Sequence, residues 1–517
     1  MFKSFWLAAA ISLAAIGLLA WAFVATSARD SATGDSTSAD GSRAKDEPLV
    51  VYCAAGVKPP VEAAVNDYRK AYATRVELAF GGSGDLLSRM SVARSGDLFV
   101  AADTDYIEIG RAKGLIAESL PLATQTAVLA VPKGNPRGIK SIESLVAPDL
   151  RIALANPDAA AVGKEAKSIL EQTGLWEQVR RAVETRGVFK PTVTDLANDL
   201  KLGAVDVAIV WDATVRQYAE LEAIEINHEL HSPQTVTIGV LRSSRQPARA
   251  LHLARYLAAR DAGLVAFERE GYKVVKGDRW QNRPALTLYI GGVLRPAVEQ
   301  TIEEFRRREG VEVNTVYNGC GILVGQMKSG GLPDAYFACD RSFMAHVADV
   351  FYDPLDISRT SMVIAVTKGN PHGIGGLNDL QKAGLRIGVC NPQQSALGAL
   401  TERMLRETGS LERVMENVVS QVPTADLLVA QLRAGGLDAA IVYQANYARV
   451  KDHLDAVSLG TAAAVAVQPV AVCTQSPYAN LASRLVEALR TAASQKRFLA
   501  SGFEWVGADR PVLLGSP

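Results

Sequence analysis

The sequence predicts an α/β chain of two tandem two-lobed domains behind an N-terminal transmembrane helix, and three observations carry that reading. First, the chain repeats itself: residues 49–103 align without a gap on 286–340 at an offset of 237, with identities that include Tyr52/Tyr289, Pro59/Pro296, Gly82/Gly319, Gly84/Gly321, Asp97/Asp334 and Asp103/Asp340. A repeat this long suits two copies of a globular domain and not a solenoid unit. Second, β-like and helix-like runs alternate within each copy, the pattern of a mostly parallel sheet covered by helices. Third, each copy leaves one α/β set, builds another and comes back, which implies two lobes joined by crossing strands around a hinge and a cleft.

The elements follow in order. Residues 49–54 form a buried-strand pattern, and Pro59 and Pro60 suit the first turn of a helix running to residue 72. A strand at 76–80 meets the turn FGGSGDLL (80–87), a helix continues to 93, and a strand at 97–101 ends in Ala102-Asp103. A second set follows: strands at 126–131, 151–155 and 207–211, with helices at 163–172 and 193–202. Residues 236–241 read as the returning strand, followed by helices at 248–259 and 263–270. The motifs then recur: VPKGNPRGI as VTKGNPHGI, RIALANPDAAAVG as RIGVCNPQQSALG, DVAIVW as DAAIVY, and FGGSGDLL as YNGCGILV. The offset drifts from 237 to 235 to 232, as small loop deletions would produce.

Composition narrows the function. Lys plus Arg and Asp plus Glu number 55 each, which argues against a nucleic-acid partner or a broad anionic surface, so any anion site is local. The five cysteines, Cys53, Cys320, Cys339, Cys390 and Cys473, contain no CxxC pair and cannot all be paired within the chain. Six histidines never recur at equivalent positions, and neither HExxH nor GxxxxGK is present. Residues 5–25 are uncharged and long enough to span a hydrocarbon layer of about 30 Å. The expectation is a membrane anchor over 1–26; the alternative is a signal peptide cleaved near Thr26-Ser27-Ala28. Both export the rest of the chain. Residues 27–48 read as a flexible tether, 49–275 as the first domain, 276–285 as a polar linker and 286–510 as the second domain.

Each glycine-rich turn opens a helix whose first amides lack intrahelical partners, a ready anion site. Together with YCAAG (52–56), DLFVAAD (97–103), NPDAAAVG (156–163) and AIVW (208–211), the ordered set resembles the periplasmic molybdate and tungstate binding proteins of ABC transporters, which have the type II bilobal solute-binding fold. The resemblance covers each repeat almost end to end, although a tandem fusion is not the usual layout of that family. It implies no cofactor and no enzymatic activity, a tetrahedral oxyanion (molybdate or tungstate) as ligand, and an ABC transporter permease or membrane sensor as partner. The ligand shell it implies is Ala55, Gly56, Gly82, Ser83, Thr126, Ala160 and Trp211 in the first repeat, and Gly292, Val293, Gly319, Cys320, Ser361, Ser395 and Tyr443 in the second. Gly56 stands where relatives usually carry serine and Trp211 replaces a tyrosine, so the first cleft has fewer hydroxyl donors and leans on backbone amides. Lys58 is either a compensating cation or a solvated surface lysine.

The second repeat departs further, with Cys320 at the place of Ser83 and Val293 at that of Gly56. Cys339 and Cys390 fall at the ends of two other strands, so three thiols approach one strand edge, where ligands bind in parallel α/β domains. Small buried fillers, a soft-ligand site or a disulfide are the open readings. Asp103 and Asp340 read as helix caps, Asp158 as a surface residue or a metal-shell carboxylate, and Trp211 and Tyr443 as core or cleft wall. Competing functions are a sulfate, phosphate or other small-solute receptor, a redox protein with Cys320 as a nucleophile at a helix N-terminus, and a ligandless scaffold.

Overall fold

The computed structural model describes residues 47–507. The first domain begins with β1 (Leu49–Ala54), β2 (Val76–Gly81), β3 (Leu98–Ala101) and β4 (Ile116–Gln125). It crosses to a second lobe to build β5 (Ala127–Pro132), β6 (Ile152–Ala155), β7 (Val188–Lys190), β8 (Val207–Trp211) and β9 (Leu221–Glu225), and it returns with β10 (Gln234–Leu241) and β11 (Lys273–Val274). The sheets have the orders β11-β4-β10-β3-β1-β2 and β7-β6-β8-β5-β9. Both fuse parallel pairs to antiparallel crossing strands. The hinge read from the sequence is thus the β4–β5 passage and the return from β9 to β10.

The second domain repeats this with β12 (Ala285–Gly291), β13 (Glu312–Asn318), β14 (Ala335–Phe337), β15 (Leu355–Thr367), β16 (Ile387–Cys390), β17 (Val418–Val422), β18 (Ala439–Tyr443), β19 (Leu454–Ser458), β20 (Val465–Val472) and β21 (Glu504–Trp505). One difference stands out: β15 is continuous across both lobes where the first domain breaks between β4 and β5. The break has a local cause. At Thr126 the side chain of Asp212 takes the amide (Oδ1, 2.9 Å) while the Asp212 amide donates to the Thr126 carbonyl (2.9 Å), so a carboxylate replaces a ladder neighbour. The matching residue in the second domain is Gln444, and there Ser361 makes the last pair of the β15–β20 ladder, with Val465, before Met362 takes up pairing with β18 in the same strand.

Repeated motifs far from the cleft turn out to be structural. KGNP is a turn with Gly134 and Asn135 at φ 83° and 45°, copied as Gly369 and Asn370 at 83° and 46°. Each asparagine holds the isoleucine four residues on by both backbone groups. Arg151 clamps Asp206, and Arg386 clamps Asp438 in the same way. Asp103 and Asp340 cap the helices that follow them, through the amides of Tyr106 and Ser342.

Each domain has one buried apolar cluster that runs through both of its lobes. Between the domains lies a charged contact: Arg255 donates to Glu309 Oε2 at 3.0 Å, and Arg484 reaches both oxygens of Glu309 at 2.9 and 3.0 Å. Glu309 is 1% exposed. Residues 276–285, read as a linker, take part in this junction: Asp278 caps the helix Ala479–Leu489 through the amides of Asn480 and Leu481, and Trp280 donates its indole N–H to the Tyr72 hydroxyl. The apolar run at 5–25 lies outside the described residues, and among the described residues no helix is long and apolar enough to cross a membrane.

Two outcomes follow from these ion pairs. Glu309→Ala leaves two buried guanidinium groups without their shared partner and should cost about 3–5 kcal/mol, measured by denaturant unfolding, with the domains melting in two steps instead of one. The Arg151 guanidinium holds the Asp206 carboxyl at about 2. A depressed carboxyl stabilises the fold above its unfolded pKa of about 3.9 and loses that contribution as pH falls through its folded value. The stability gap between the parent and Asp206→Asn should therefore be constant above pH 5 or so and close towards pH 2 in acid titrations.

Candidate functional site

The cleft of the first domain is where helices begin. The 3-10 turn Ala55–Val57 leads into the helix Lys58–Tyr72, and the helix Ser83–Ala93 starts beside it; the second lobe contributes the starts of Ala161–Gln172 and Val193–Lys201. These starts line the space with Ala55, Gly56, Gly82 and Ser83 on one side and Ala160, Ala161, Val162, Thr192, Val193 and Trp211 on the other. No charged side chain takes part in the lining. The lobes are closed, leaving about 20 Å³, room for about one water.

Closure is fastened by the glycine-rich turn. The Gly84 amide donates to the Ala159 carbonyl of the opposite lobe at 2.9 Å, with Asp85 adding a longer bond of 3.4 Å. A Cβ on Gly82 would sit 2.3 Å from Ala159 O and 2.9 Å from Pro191 O. The second domain does the same: the Gly321 amide donates to Gln394 O at 3.0 Å, and a Cβ on Gly319 would sit 2.3 Å from that oxygen. This corrects the expectation that the turn holds all its amides out to an anion, since in the closed form Gly84 and Gly321 spend theirs on the facing lobe.

Other donors remain. Ser83 Oγ accepts the Ala102 amide at 3.2 Å, which occupies an acceptor site and leaves its proton to give. At the start of Ala161–Gln172 the Ala161 and Val162 amides have no intrahelical acceptor, while Gly163 donates to the Ala160 carbonyl at 3.0 Å, and the helix field there favours negative charge. Trp211 is 1% exposed and forms a wall of the cleft. Thr126 does not line the space, being held by Asp212. Lys58 stays outside, paired with Glu62 at 3.8 Å and lying over Phe80, and Asp158 is exposed on the loop that receives Gly84.

The second cleft brings together Gly292, Val293, Gly319, Ser395 and Tyr443 around another 20 Å³ or so. Ser361 is held in β15, and Cys320 is fully buried and does not line the space, whereas Cys339 does. The Tyr443 hydroxyl is buried with no partner. Unlike the first cleft, this one includes a carboxylate, Asp426, which accepts from Asn446 Nδ2 at 3.1 Å.

Sequence reasoning placed a helix at 193–202 but did not assign its start, Thr192-Val193, or the matching Thr424-Ala425 to the clefts. A signal was present: Pro191-Thr192 recurs as Pro423-Thr424, each with a carboxylate soon after, and Thr192 and Asp195 cap one another. Those starts also account for Gly56. A Cβ there would meet Val193 Cγ1 at 2.7 Å, whereas the second cleft is lined at the equivalent places by Val293 and the smaller Ala425. Size has been exchanged across the cleft between the two copies.

The profile of bacterial extracellular solute-binding proteins matches this chain twice, over residues 49–273 and 286–504. The chain belongs to this family. It is a tandem solute-binding protein, in a family of binding proteins and not of enzymes. One domain's length is similar to a binding protein of Haemophilus influenzae, 30% identical over 236 residues, covering 44% of this chain and 91% of that one. It is also similar to the molybdate-binding protein ModA of Mycobacterium tuberculosis, 29% identical over 248 residues, covering 47% and 93%. Among solved structures, the periplasmic molybdate-binding protein of Azotobacter vinelandii aligns at 19% identity and a TM-score of 0.39, over 44% of this chain and 100% of that one.

Because Val193 fills the place a side chain at residue 56 would need, Gly56→Ser in this solute-binding protein should destabilise the closed form by about 1–3 kcal/mol through overpacking. Val193→Ala should recover most of the loss in the same chain. A double-mutant cycle by thermal unfolding measures the coupling; additive effects would mean that the two positions do not compete for space.

Proposed function

We propose that the first domain binds a tetrahedral oxyanion, molybdate or tungstate, by lobe closure, and that the closed form is read by an ABC transporter permease or membrane sensor. The observation that carries this reading is an uncharged cleft at which helices from both lobes begin, with the Ser83 hydroxyl accepting the amide behind it and its proton free to give. A desolvated anion needs inward O–H and N–H groups and no carboxylate nearby, and this cleft supplies that arrangement. The same lack of an acceptor disfavours phosphate, which carries a proton near neutral pH. The similarity to proteins described as molybdate-binding supports the choice of anion. We further propose that residues 5–25 anchor the chain to the membrane, on the strength of their uncharged length alone.

For the second cleft, we propose that Asp426, whose Oδ1 is taken by Asn446 and Arg449, offers its other oxygen to a ligand that brings a hydrogen-bond donor of its own, which would give the two domains different cargo.

Thermal unfolding of the chain from residue 47 onward, with molybdate, tungstate, sulfate and phosphate in turn, tests the proposal. Ligand at 100 times its Kd adds about 2.7 kcal/mol, so molybdate and tungstate should raise Tm by several degrees while phosphate does not. Ser83→Ala should weaken binding by about 10- to 100-fold, the worth of a hydrogen bond to a charged group. No shift with any of the four anions would overturn the reading.

A further inference from the structure

The second domain differs from the first at three positions that touch one another. Ser83 becomes Cys320, Ala102 becomes Cys339, and Ala54 becomes Gly291. The contact between the first two is retained: as the Ala102 amide donates to Ser83 Oγ at 3.2 Å, so the Cys339 amide donates to Cys320 Sγ at 3.1 Å. The third change makes room. A Cβ on Gly291 would fall 2.1 Å from Cys339 Sγ and 3.2 Å from Cys320 Sγ, so the side chain that the first domain carries there could not coexist with this pair of sulfurs. The result is two thiols side by side beneath the second cleft, Cys339 lining it just past the end of β14 and Cys320 buried behind it on the first residue of the helix Cys320–Lys328.

We propose that Cys320 and Cys339 form a dithiol–disulfide couple that reacts with external disulfides when the second domain opens. Such pairs persist as disulfides outside the cytoplasm, where members of this family act. The two sulfurs are also differentiated. Burial lifts the Cys320 thiol, but hydrogen bonds from the Cys339 side chain and amide outweigh it and bring it down; Cys339 is pushed up by its bond to Cys320 and by burial. A helix N-terminus adds to the stabilisation of a thiolate at Cys320.

The chemistry balances as thiol–disulfide exchange. The Cys320 thiolate attacks one sulfur of the external disulfide, forming a mixed disulfide and expelling the other sulfur as a thiolate. That thiolate, or solvent, takes the Cys339 proton. Cys339 then attacks the Cys320 sulfur, closing the Cys320–Cys339 bond and expelling the second thiolate. Two protein thiols are oxidised and one external disulfide is reduced to two thiols. Access depends on the lobes, since in the closed form Gly319 and Gly321 lie against Gln394.

The test is a thiol map of the intact chain. The protein is reduced, freed of reductant and incubated with oxidised glutathione; it is then denatured, alkylated and digested. Of five cysteines, Cys53, Cys390 and Cys473 should be alkylated, and a Cys320–Cys339 cross-linked peptide should appear that dithiothreitol removes. Cys339→Ala reinstates the residue of the first repeat, so it should fold, and it should stop at a glutathione adduct on Cys320. Alkylation of all five cysteines after glutathione treatment, or adducts scattered over them without the cross-link, overturns the proposal.

Discussion

The constraint on which both domains rest is the approach of one lobe's backbone to the other's. Gly84 and Gly321 donate amides to carbonyls across the cleft, and Gly82 and Gly319 have those carbonyls where a Cβ would stand. Backbone can come this near only where side chains are absent. The glycine-rich turn is therefore first a fastening and second a source of donors. Because it is made of main chain, it survived the divergence of almost every side chain around it.

That divergence is orderly. A valine moved from one wall of the cleft to the other between copies, from Val193 with Gly56 to Val293 with Ala425. Where the first copy has a hydroxyl and a methyl the second has two thiols, and a second methyl is absent there to admit them. In a packed interior a change in one residue's volume is felt by its neighbours, so substitutions that keep the fold come in compensating sets. The duplicated chain records two such sets, both at the cleft, while its turns and clamps stayed fixed.

Much of this architecture was legible in the sequence because the repeat doubles every signal. A single KGNP is a turn; its return at Gly369-Asn370 with the same strand before it fixes a domain period. The alternation of apolar strands and amphipathic helices gave the parallel part of each sheet, and the place of 236–241 as a returning strand gave the hinge. What stayed hidden depends on contacts distant in the chain. Residues 116–125, IAESLPLATQ, carry no clean alternation because the ladder from β4 to β10 shifts register twice, which breaks the two-residue period. Ser83, Trp211 and Tyr443 line their clefts. Thr126, Cys320 and Ser361 lie outside those linings, because their side of the strand or depth in the core is set by partners such as Asp212, Cys339 and Val465. The Asp278–Trp280 segment looked like a spacer because its polar groups find partners only in the other domain or across the first.

The unbroken β15 bears on mechanics. In the first domain the chain passes between lobes at Thr126, where a side-chain carboxylate stands in for a strand neighbour, so a rotation can be taken up at one residue without tearing a ladder. In the second, the corresponding passage is a 13-residue strand hydrogen-bonded to β20 on one side of the hinge and to β18 on the other. Opening must flex that strand along its length. The two copies are one bearing and one leaf spring cut from the same blueprint, and the springier half is the one that shelters the paired sulfurs.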